Sequence, residues 1–437
     1  MQEIDLLITP RWLIPVEPSG VTLSGHAVAV ERGRIAAVLP VDEARQRYLP
    51  RRSVDLPQHV LLPGLVNLHT HAAMALLRGY ADDLALMDWL KQRIWPAEMR
   101  HATPQFVHDG TLLACAEMLR GGITCFNDMY FHSEAAASSA LAVGMRAALG
   151  IIVVEFPTAY AADAEDYLSK GLATRDALRD EPLISFCMAP HAPYTVSDRS
   201  FGRIATLAEQ LDLPIHMHLH ETHSEIEEST AAHGVRPIER LRRLGLLGPN
   251  LIAVHAVHLT GAEIRLLAEQ ACSVAHCPTS NMKLASGIAP VYELAANGVR
   301  IGLGTDGAAS NNRLDLFQEM RHAALLAKVA TGDATVLGAH QVLRMATLNG
   351  ASALGLDDRI GSIEVGKEAD LCAVDYSGLE VSPCYDPASH LIYAASRECV
   401  SHVWVGGELR VDGGIVLQIS NTKLLDAINL WRNKLKS

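Results

Sequence analysis

The amino-acid sequence predicts a (β/α)₈ barrel of the TIM type beside a small β-sandwich that both chain ends build together. Between about residues 60 and 310, short apolar segments alternate with segments whose apolar residues recur every three or four positions. Eight such repeats occur, the number that closes a parallel sheet on itself. The two ends instead alternate apolar and polar residues around glycine turns, which is typical of antiparallel strands.

The eight predicted barrel strands are almost continuously apolar, which indicates burial on both faces. They cover residues 65–69, 123–128, 147–154, 183–189, 214–219, 251–256, 272–277 and 299–304. Neither chain end has enough strands for a stable sheet of its own, so we expect the two ends to pair. The predicted domains are the first part of the sandwich at 1–62, the barrel at 63–359, and the rest of the sandwich with a terminal amphipathic helix at 360–437.

Composition and charge narrow the classes of partner. The formal net charge is −12 and no block of Lys or Arg occurs, which argues against nucleic acid or an anionic membrane and favours a small molecule. The acidic, Pro-interrupted start does not resemble a signal peptide, and no segment has the roughly 18 apolar residues of a membrane span. The eight cysteines contain no CxxC pair, so we expect reduced core residues and a cytoplasmic protein.

Polar side chains stand where several predicted strands end. GLVNLHTHAAM contains His69 and His71 at the first strand, and one carboxylate follows the eighth; the remaining residues of this kind are His191, His218, His255 and Asp306. Because the carboxyl ends of barrel strands converge on one mouth, we expect these side chains to lie together.

Metal coordination is the chemistry that this pattern favours. Alternate residues of an extended HxH point the same way, so His69 and His71 can both reach one ion. His218 and Asp306 would complete a mixed nitrogen and oxygen set, which suits Zn²⁺ or Fe²⁺ better than Ca²⁺ or Mg²⁺. A lone HxH is weak evidence, because a histidine at a strand end often only bonds a backbone carbonyl. Matches at the ends of four strands favour the metal site.

Motifs along nearly the whole chain resemble the amidohydrolase superfamily, in particular the branch with 5'-methylthioadenosine/S-adenosylhomocysteine deaminases and triazine hydrolases. The motifs are LLPGLVNLHTHAAMALLRGYADDLALMDWL, FNDMYFH, MAPHAPYTVSD, HMHLHET, VHAVHL, HCPTSNMKLASG, GLGTDGAASNN, ATLNGASALGL and IGSIEVGKEADLCAVD. The resemblance implies one catalytic metal, Zn²⁺ or alternatively Fe²⁺, held by His69, His71, His218 and Asp306. Members with two metals carry a carboxylated lysine or a glutamate near barrel strands 3 and 4, and neither residue occurs in AALGIIVV or LISFCMA.

Three residues are candidates for proton transfer and charge stabilisation. Asp306 would accept a proton from water through its free oxygen, Glu221 would protonate a ring nitrogen, and His255 would hold the attacking oxygen. The resemblance supports all three roles. Each has an ordinary structural alternative: Glu221 as a first-turn helix acid, His255 as a core histidine and Asp306 as a turn residue. The neighbouring histidines are interpreted as satisfied core residues; they are His216, His220, His258 and His276.

The resemblance also implies contacts to a purine nucleoside. Glu98 would bind ribose hydroxyls, His191 would meet the nucleoside, and Trp89 would wall the pocket. Ordinary core packing for Trp89 and a surface helix position for Glu98 remain open alternatives. Apolar residues at helical spacing precede Pro96, which we expect to end that helix.

The function that the resemblance implies is deamination of 5'-methylthioadenosine to 5'-methylthioinosine and ammonia. Members that accept S-adenosylhomocysteine carry arginines after barrel strand 3, and none occurs here between Arg146 and Arg175. Adenosine and S-adenosylhomocysteine are therefore expected to be poorer substrates. The alternative is a triazine, guanine or other heterocycle aminohydrolase of the same superfamily. An apolar barrel surface also leaves a homodimer open.

Overall fold

The computed structural model describes residues 1–436, and its first part contributes five strands and one helix. These are β1 (Gln2–Leu13), β2 (Leu23–Ser24), β3 (His26–Glu31), β4 (Arg34–Pro40), α1 (Val41–Arg47) and β5 (Tyr48–Pro63). β1 pairs antiparallel with β2 and β3, and parallel with β5. β3 also pairs antiparallel with β4, so the start of the chain is already a small mixed sheet.

Eight parallel strands follow and form the barrel wall. They are β6 (Leu65–Thr70), β7 (Ile123–Asp128), β8 (Arg146–Val153), β9 (Ile184–Pro190), β10 (Ile215–Leu219), β11 (Leu251–His255), β12 (Ser273–His276) and β13 (Arg300–Leu303). Each predicted barrel strand is confirmed to within one residue at either end. Between β6 and the segment after β13, the side chain of Asn67 accepts the N–H of Thr305 at 2.9 Å and donates to its hydroxyl at 2.8 Å. These bonds link the first strand to the last.

Helices connect the barrel strands. They are α2 (Leu86–Trp89), α3 (Trp95–His101), α4 (Pro104–Arg120), α5 (Ser133–Val143), α6 (Ala164–Leu178), α7 (Asp198–Leu211), α8 (His223–His233), α9 (Pro237–Arg243), α10 (Gly261–Glu269), α11 (Pro278–Lys283), α12 (Val291–Ala296), α13 (Leu316–Thr331), α14 (Ala339–Met345) and α15 (Leu348–Ala353). Their starts follow local sequence: Ser197 caps α7, and Thr260 forms a capping box with Glu263 in α10.

The prediction that Pro96 ends a helix is wrong. A π-helical turn (Leu90–Ile94) leads from α2 directly into α3, and Pro96 lies in the first turn of α3. A proline interrupts the i→i−4 bonds of a helix interior, and the π-helical turn before Pro96, in which the Trp95 N–H bonds the Leu90 carbonyl, allows the helix to continue past it. The helical segment at 86–101 therefore continues past the proline and forms one wall above the barrel mouth.

The last part of the chain returns to the first sheet. It contains β14 (Leu371–Asp375), α16 (Pro387–Tyr393), β15 (Val400–Val405), β16 (Glu408–Asp412), β17 (Ile415–Val416) and α17 (Asn421–Lys436). β14 pairs antiparallel with β5, which joins both chain ends into one nine-stranded sheet. A shared core packs β1 residues such as Leu6 and Ile8 against Trp404 of β15. The predicted barrel with a composite sheet is confirmed, while the exact domain boundaries stay a prediction.

The sequence also predicts that the chain contains no membrane span and that its cysteines are reduced. Within residues 1–436, none of the helices is both long enough and apolar enough to cross a bilayer. All eight cysteines of that range are free, and six of them are buried.

A buried ion pair connects the barrel to the returning chain. Arg146, at the start of β8, is 2% exposed and donates two bonds to the Asp370 carboxylate at 3.1 and 3.2 Å. It also bonds Glu368 at 2.5 Å and the Pro182 carbonyl at 3.1 Å. Removing one partner would leave the others charged and buried, which is more costly than the pair itself is favourable.

We expect Arg146→Met to lower the free energy of unfolding by about 3–5 kcal/mol, because Asp370 would remain buried without its guanidinium. Urea denaturation would measure the loss. Arg51→Met is the matched control, since Arg51 is exposed and reaches Asp5 only at 3.5 Å, and it should change stability by less than about 1 kcal/mol. Equal effects of the two substitutions would contradict a structural role for the Arg146 cluster.

Candidate metal centre and active site

The predicted site residues meet at the carboxyl ends of the barrel strands. His69 lies in β6 and His71 follows it, His218 lies in β10, His255 ends β11, and Asp306 follows β13. Strand order alone brings these residues together, because parallel strands in a closed barrel present all their carboxyl ends on one face.

The donor atoms form two groups that share His69, one with His71 and Asp306 and the other with His218 and His255. The Oδ1 atom of Asp306 lies 3.3 Å from the Nε2 atoms of both His69 and His71. The Nε2 atom of His218 lies 3.3 Å from that of His69, and His255 joins the same cluster within 4.8 Å. Donors of a tetrahedral zinc ion at roughly 2.0–2.1 Å stand about 3.3–3.4 Å apart. The observed spacing therefore fits a cation of this size.

Each imidazole of the cluster is oriented by a partner on its Nδ1 atom. The pairs are His71 donating to the Met129 carbonyl at 2.6 Å, His218 to the His191 carbonyl at 2.8 Å, His255 to Asn281 Oδ1 at 2.8 Å, and His69 sharing a bond with His216 Nε2 at 2.9 Å. A fixed Nδ1 leaves Nε2 aimed at the centre, which is the usual arrangement of metal-binding histidines.

Asp306 is held by hydrogen bonds to both of its carboxylate oxygens. Oδ1 accepts the N–H of Gly307 at 2.7 Å, while Oδ2 accepts the hydroxyls of Ser280 at 2.6 Å and Ser310 at 2.9 Å. The sequence-based expectation of a free oxygen on Asp306 therefore differs from the structure. Oδ2 already has two donors, and the remaining capacity of Oδ1 faces the histidines.

The backbone is strained where it carries these side chains. Four non-glycine residues at the strand ends adopt positive φ: His220 at 56°, His255 at 72°, Ala256 at 48° and Asp306 at 60°. Such conformations persist only where surrounding bonds enforce them, and they cluster at functional sites.

Burial controls the protonation of the imidazoles. It lowers the pKa of His69 to about 4, that of His191 to about 3, and that of His218 well below the usual value. These rings are therefore neutral at physiological pH, the form that binds a cation. Burial also acts against a charged His71, but the Asp306 carboxylate offsets it and raises that pKa to about 9. In turn, His69 and His71 hold the pKa of Asp306 well below its usual range, although burial opposes this.

Glu221 stands beside this cluster. Its Oε2 atom is 3.9 Å from the Nε2 atom of His255, and its Oε1 atom accepts the Ser286 hydroxyl at 3.4 Å. Burial raises its pKa. The interpretation as a first-turn helix acid does not apply, since Glu221 precedes Thr222, the residue that caps α8.

A cavity of about 1030 Å³, including its open mouth, lies over the cluster. One end is formed by the polar residues His71, His218, Glu221, His255 and Asp306. The other walls are mainly apolar and come from the segment at 86–101 and from the loops after β7 and β8. Three predicted substrate contacts also line the cavity: Trp89, Glu98 and His191. His69 is fully buried beneath them.

Glu98 and Tyr130 are two neighbouring polar residues in the mainly apolar wall of the cavity. Burial raises the pKa of Glu98 to about 7. The Tyr130 hydroxyl is buried beside this carboxylate, and burial together with Glu98 raises the pKa of Tyr130 well above the usual value. A carboxylate with a phenol beside it can bind the hydroxyl groups of a ligand.

Sequence reasoning missed several residues that support the cluster. His216, interpreted as a satisfied core histidine, contacts His69 directly. Ser280 and Asn281 bond Asp306 and His255 from the first turns of α11. The segment HCPTSNM gave a signal for Ser280 and Asn281, because its three consecutive polar residues stand between buried apolar elements. The partners of these residues could not be predicted from their spacing.

The fold and the clustered donors together define a (β/α)₈ barrel with a candidate metal centre at its carboxyl mouth. The Amidohydrolase family matches residues 60–410. The chain belongs to the amidohydrolase family.

Relatives and solved structures agree with this assignment. The 5-methylthioadenosine/S-adenosylhomocysteine deaminase of Teredinibacter turnerae is 45% identical over 432 residues, covering 99% of this chain and 98% of the relative. The structure of an adenosine deaminase from Xanthomonas campestris with bound zinc is 50% identical, with a TM-score of 0.98, and covers 100% of this chain and 99% of its own. Atrazine chlorohydrolase from Arthrobacter aurescens, at 23% identity and a TM-score of 0.90 over 98% and 99% of the two chains, shares the fold. Together with the donor set, these findings support a divalent metal.

We expect His216→Leu to weaken cation affinity about 10- to 100-fold, because His69 would lose the partner that orients its ring. Competition with a chelator, followed by metal quantification, would measure the affinity. His276→Leu is the matched control: it removes a similarly buried histidine of β12, whose side chain makes no hydrogen bond to the cluster within residues 1–436. A His216→Leu protein that binds metal as tightly as the control would contradict the supporting role.

Proposed function

We propose that this chain catalyses the metal-dependent hydrolytic deamination of 5'-methylthioadenosine to 5'-methylthioinosine and ammonia. The observation that carries the proposal is one cavity that joins the donor cluster, Glu221 and His255 to apolar walls large enough for a nucleoside. The names of full-length relatives at 45% identity support the substrate class.

We further propose zinc as the metal, held by His69, His71, His218 and Asp306. The zinc in the Xanthomonas campestris protein supports this choice over iron, and the 3.3 Å spacing of the donors fits a cation of this size. A bound divalent cation supplies Lewis-acid activation of water and shields the negative charge that develops during attack.

Asp306 is the proposed base. It takes a proton from the water whose oxygen bonds to the ring carbon that bears the amino group. The hydroxyls of Ser280 and Ser310 donate to Oδ2, but a hydroxyl can turn and accept, so both serines allow Oδ2 to carry this proton.

Glu221 is the proposed acid. Its proton moves to the ring nitrogen. The C=N double bond of the ring then becomes a single bond on attack, and the attacked carbon becomes tetrahedral. Since burial raises the pKa of Glu221, the protonated form persists at a higher pH than for an ordinary glutamate. His255, whose ring is oriented by Asn281, would hold the attacking oxygen through its Nε2 atom. The carbon–nitrogen bond then breaks and ammonia leaves with the proton that Asp306 received, while the proton of the remaining hydroxyl returns to Glu221 as the ring carbonyl forms.

Glu98 and Tyr130 in the cavity wall favour a nucleoside over a heterocycle that carries no sugar. Glu98 would accept hydrogen bonds from the ribose hydroxyls, and the buried Tyr130 hydroxyl lies beside it. Trp89 and His191 line the same cavity and would contact the nucleoside. A triazine or guanine substrate would leave Glu98 without a partner, so those activities are the weaker alternative.

The wall of the cavity favours a neutral, apolar 5' substituent. Trp95, Met99 and Phe156 are apolar residues of this wall, and none of the cavity-lining side chains in the described part of the chain is Lys or Arg. The carboxylate of a homocysteine tail would therefore lose hydration without gaining a guanidinium partner. Methylthioadenosine has no such group.

We expect Glu221→Gln to lower kcat about 10²- to 10⁴-fold while the bound metal stays near one per chain, because proton donation is lost and the donor set is intact. The fall in absorbance on deamination and total-metal quantification would be measured together. Glu228→Gln, an exposed change one helical turn beyond Glu225, should leave kcat unchanged. Full activity of Glu221→Gln would exclude it as the acid.

A panel of nucleosides and heterocycles, assayed by ammonia release, tests the substrate. We expect the highest kcat/KM for 5'-methylthioadenosine, lower values for adenosine and S-adenosylhomocysteine, and none for triazines or guanine. Rapid turnover of S-adenosylhomocysteine with no turnover of methylthioadenosine would overturn the assignment.

Adding a guanidinium to the cavity should shift this preference. We expect Ala159→Arg to raise kcat/KM for S-adenosylhomocysteine about 5-fold relative to methylthioadenosine, the effect of one ion pair worth about 1 kcal/mol. Ala162→Arg is the matched control, because Ala162 is exposed on the same loop but does not line the cavity. Equal ratios for the two variants would count against the cavity wall as the determinant.

A further inference from the structure

Glu225 makes an unusual pair of hydrogen bonds. It lies in the first turn of α8 and is 3% exposed. Its Oε1 atom accepts the backbone N–H of His220 and its Oε2 atom accepts that of Glu221, each at 2.8 Å. Both oxygens of a buried carboxylate are thus directed at two consecutive peptide groups that precede the helix.

The peptide groups that Glu225 binds determine where Glu221 points. His220 has a φ of 56°, which turns the chain sharply after β10 ends. A residue in this conformation persists only where other bonds enforce it. The His220 carbonyl accepts the N–H groups of Val257 and His258 at 3.0 Å each, and the two hydrogen bonds to Glu225 complete the hold on the peptides on both sides of that turn. They thereby fix the direction of the Cα–Cβ bond of Glu221.

The side chain of Glu221 has little else to hold it. Its polar contacts are the Ser286 hydroxyl at 3.4 Å and His255 at 3.9 Å, both long for a strong hydrogen bond. His218, three residues earlier, is fixed independently, because its N–H and its Nδ1 atom both bond the His191 carbonyl. Loss of the Glu225 bonds would therefore disturb Glu221 and leave the metal ligand in place.

We infer that Glu225 is a positioning residue that aims the acid Glu221 at the substrate through the backbone of residues 220 and 221. The inference rests on the proposed deaminase function. A glutamine at this position would keep one acceptor but set its amide N–H₂ group against the other backbone N–H. A buried N–H left without an acceptor favours a shift of the turn, and a displacement of about 1 Å can cost about 100-fold in rate.

A double-mutant cycle on the full-length, metal-loaded enzyme tests this inference. We expect Glu225→Gln to lower kcat for 5'-methylthioadenosine about 10- to 100-fold, with KM within about 3-fold of the wild-type value and the metal content unchanged. In the Glu221→Gln background, Glu225→Gln should cause no further loss, because the group that it positions is already absent. Single-turnover measurements at high enzyme concentration would resolve the slow variants.

The matched control is Asp386→Asn. Asp386 caps α16 and accepts the backbone N–H groups of Ala388 and Ser389 at 3.0 and 3.3 Å, so the substitution makes the same change of carboxylate to amide at a helix start that does not line the cavity. It should leave kcat within about 2-fold of wild type.

Several results would overturn the inference. They are an unchanged kcat in Glu225→Gln, an equal loss of kcat in both backgrounds, or a loss that follows the metal content or KM. If Glu225→Gln does not fold, the cycle is run with Glu225→Asp, whose shorter side chain reaches only one N–H and should give a smaller, equally non-additive loss. A wild-type enzyme inactive on every nucleoside would remove the proposed function as well, whereas an active wild type with additive losses overturns this inference alone.

Discussion

The site depends on an electrostatic constraint: several imidazoles and a carboxylate crowd around one point that has little contact with water. The Oδ1 atom of Asp306 lies equally close to His69 and His71. Burial keeps the rings of His69 and His218 neutral, whereas for His71 the Asp306 carboxylate outweighs burial and raises the pKa to about 9. An anionic oxygen in such a place needs a positive partner, because an unpaired charge there loses its hydration without compensation. The strained strand ends and the bonded Nδ1 atoms hold the donors in this arrangement before any cation arrives.

The polar and apolar parts of the cavity have different roles in binding a ligand. Polar groups concentrate at the barrel end, where a bond is made and broken, and at the Glu98 and Tyr130 pair in the wall. Between and beyond them the walls are apolar, so a ligand is oriented by a few polar contacts and otherwise by exclusion of water. The helical segment at 86–101 provides much of this wall, and its π turn allows the helix to continue where Pro96 was expected to end it.

Much of this arrangement could be predicted from the sequence, because the strong signals are local. The strands are continuous apolar runs, and residues at their carboxyl ends must share one mouth once the barrel closes. The supporting contacts are different in kind. His216 reaches His69 across 147 residues, and Asn281 reaches His255 across 26, so their roles depend on side-chain geometry that no periodicity encodes. The unexpected helix through Pro96 has the same origin, since packing over the cavity outweighed a local preference.

The pairing of β5 with β14 has a consequence for biosynthesis. A ribosome releases the amino-terminal strands more than 300 residues before their hydrogen-bonding neighbour at Leu371–Asp375 is translated. Until then β5 offers an open edge, the kind of surface on which nascent chains aggregate. The Arg146 guanidinium likewise lacks its Asp370 partner until a further 224 residues have been added to the chain. The sheet that joins both chain ends can therefore close only after most of the chain has been synthesised, which prolongs the exposure of this edge.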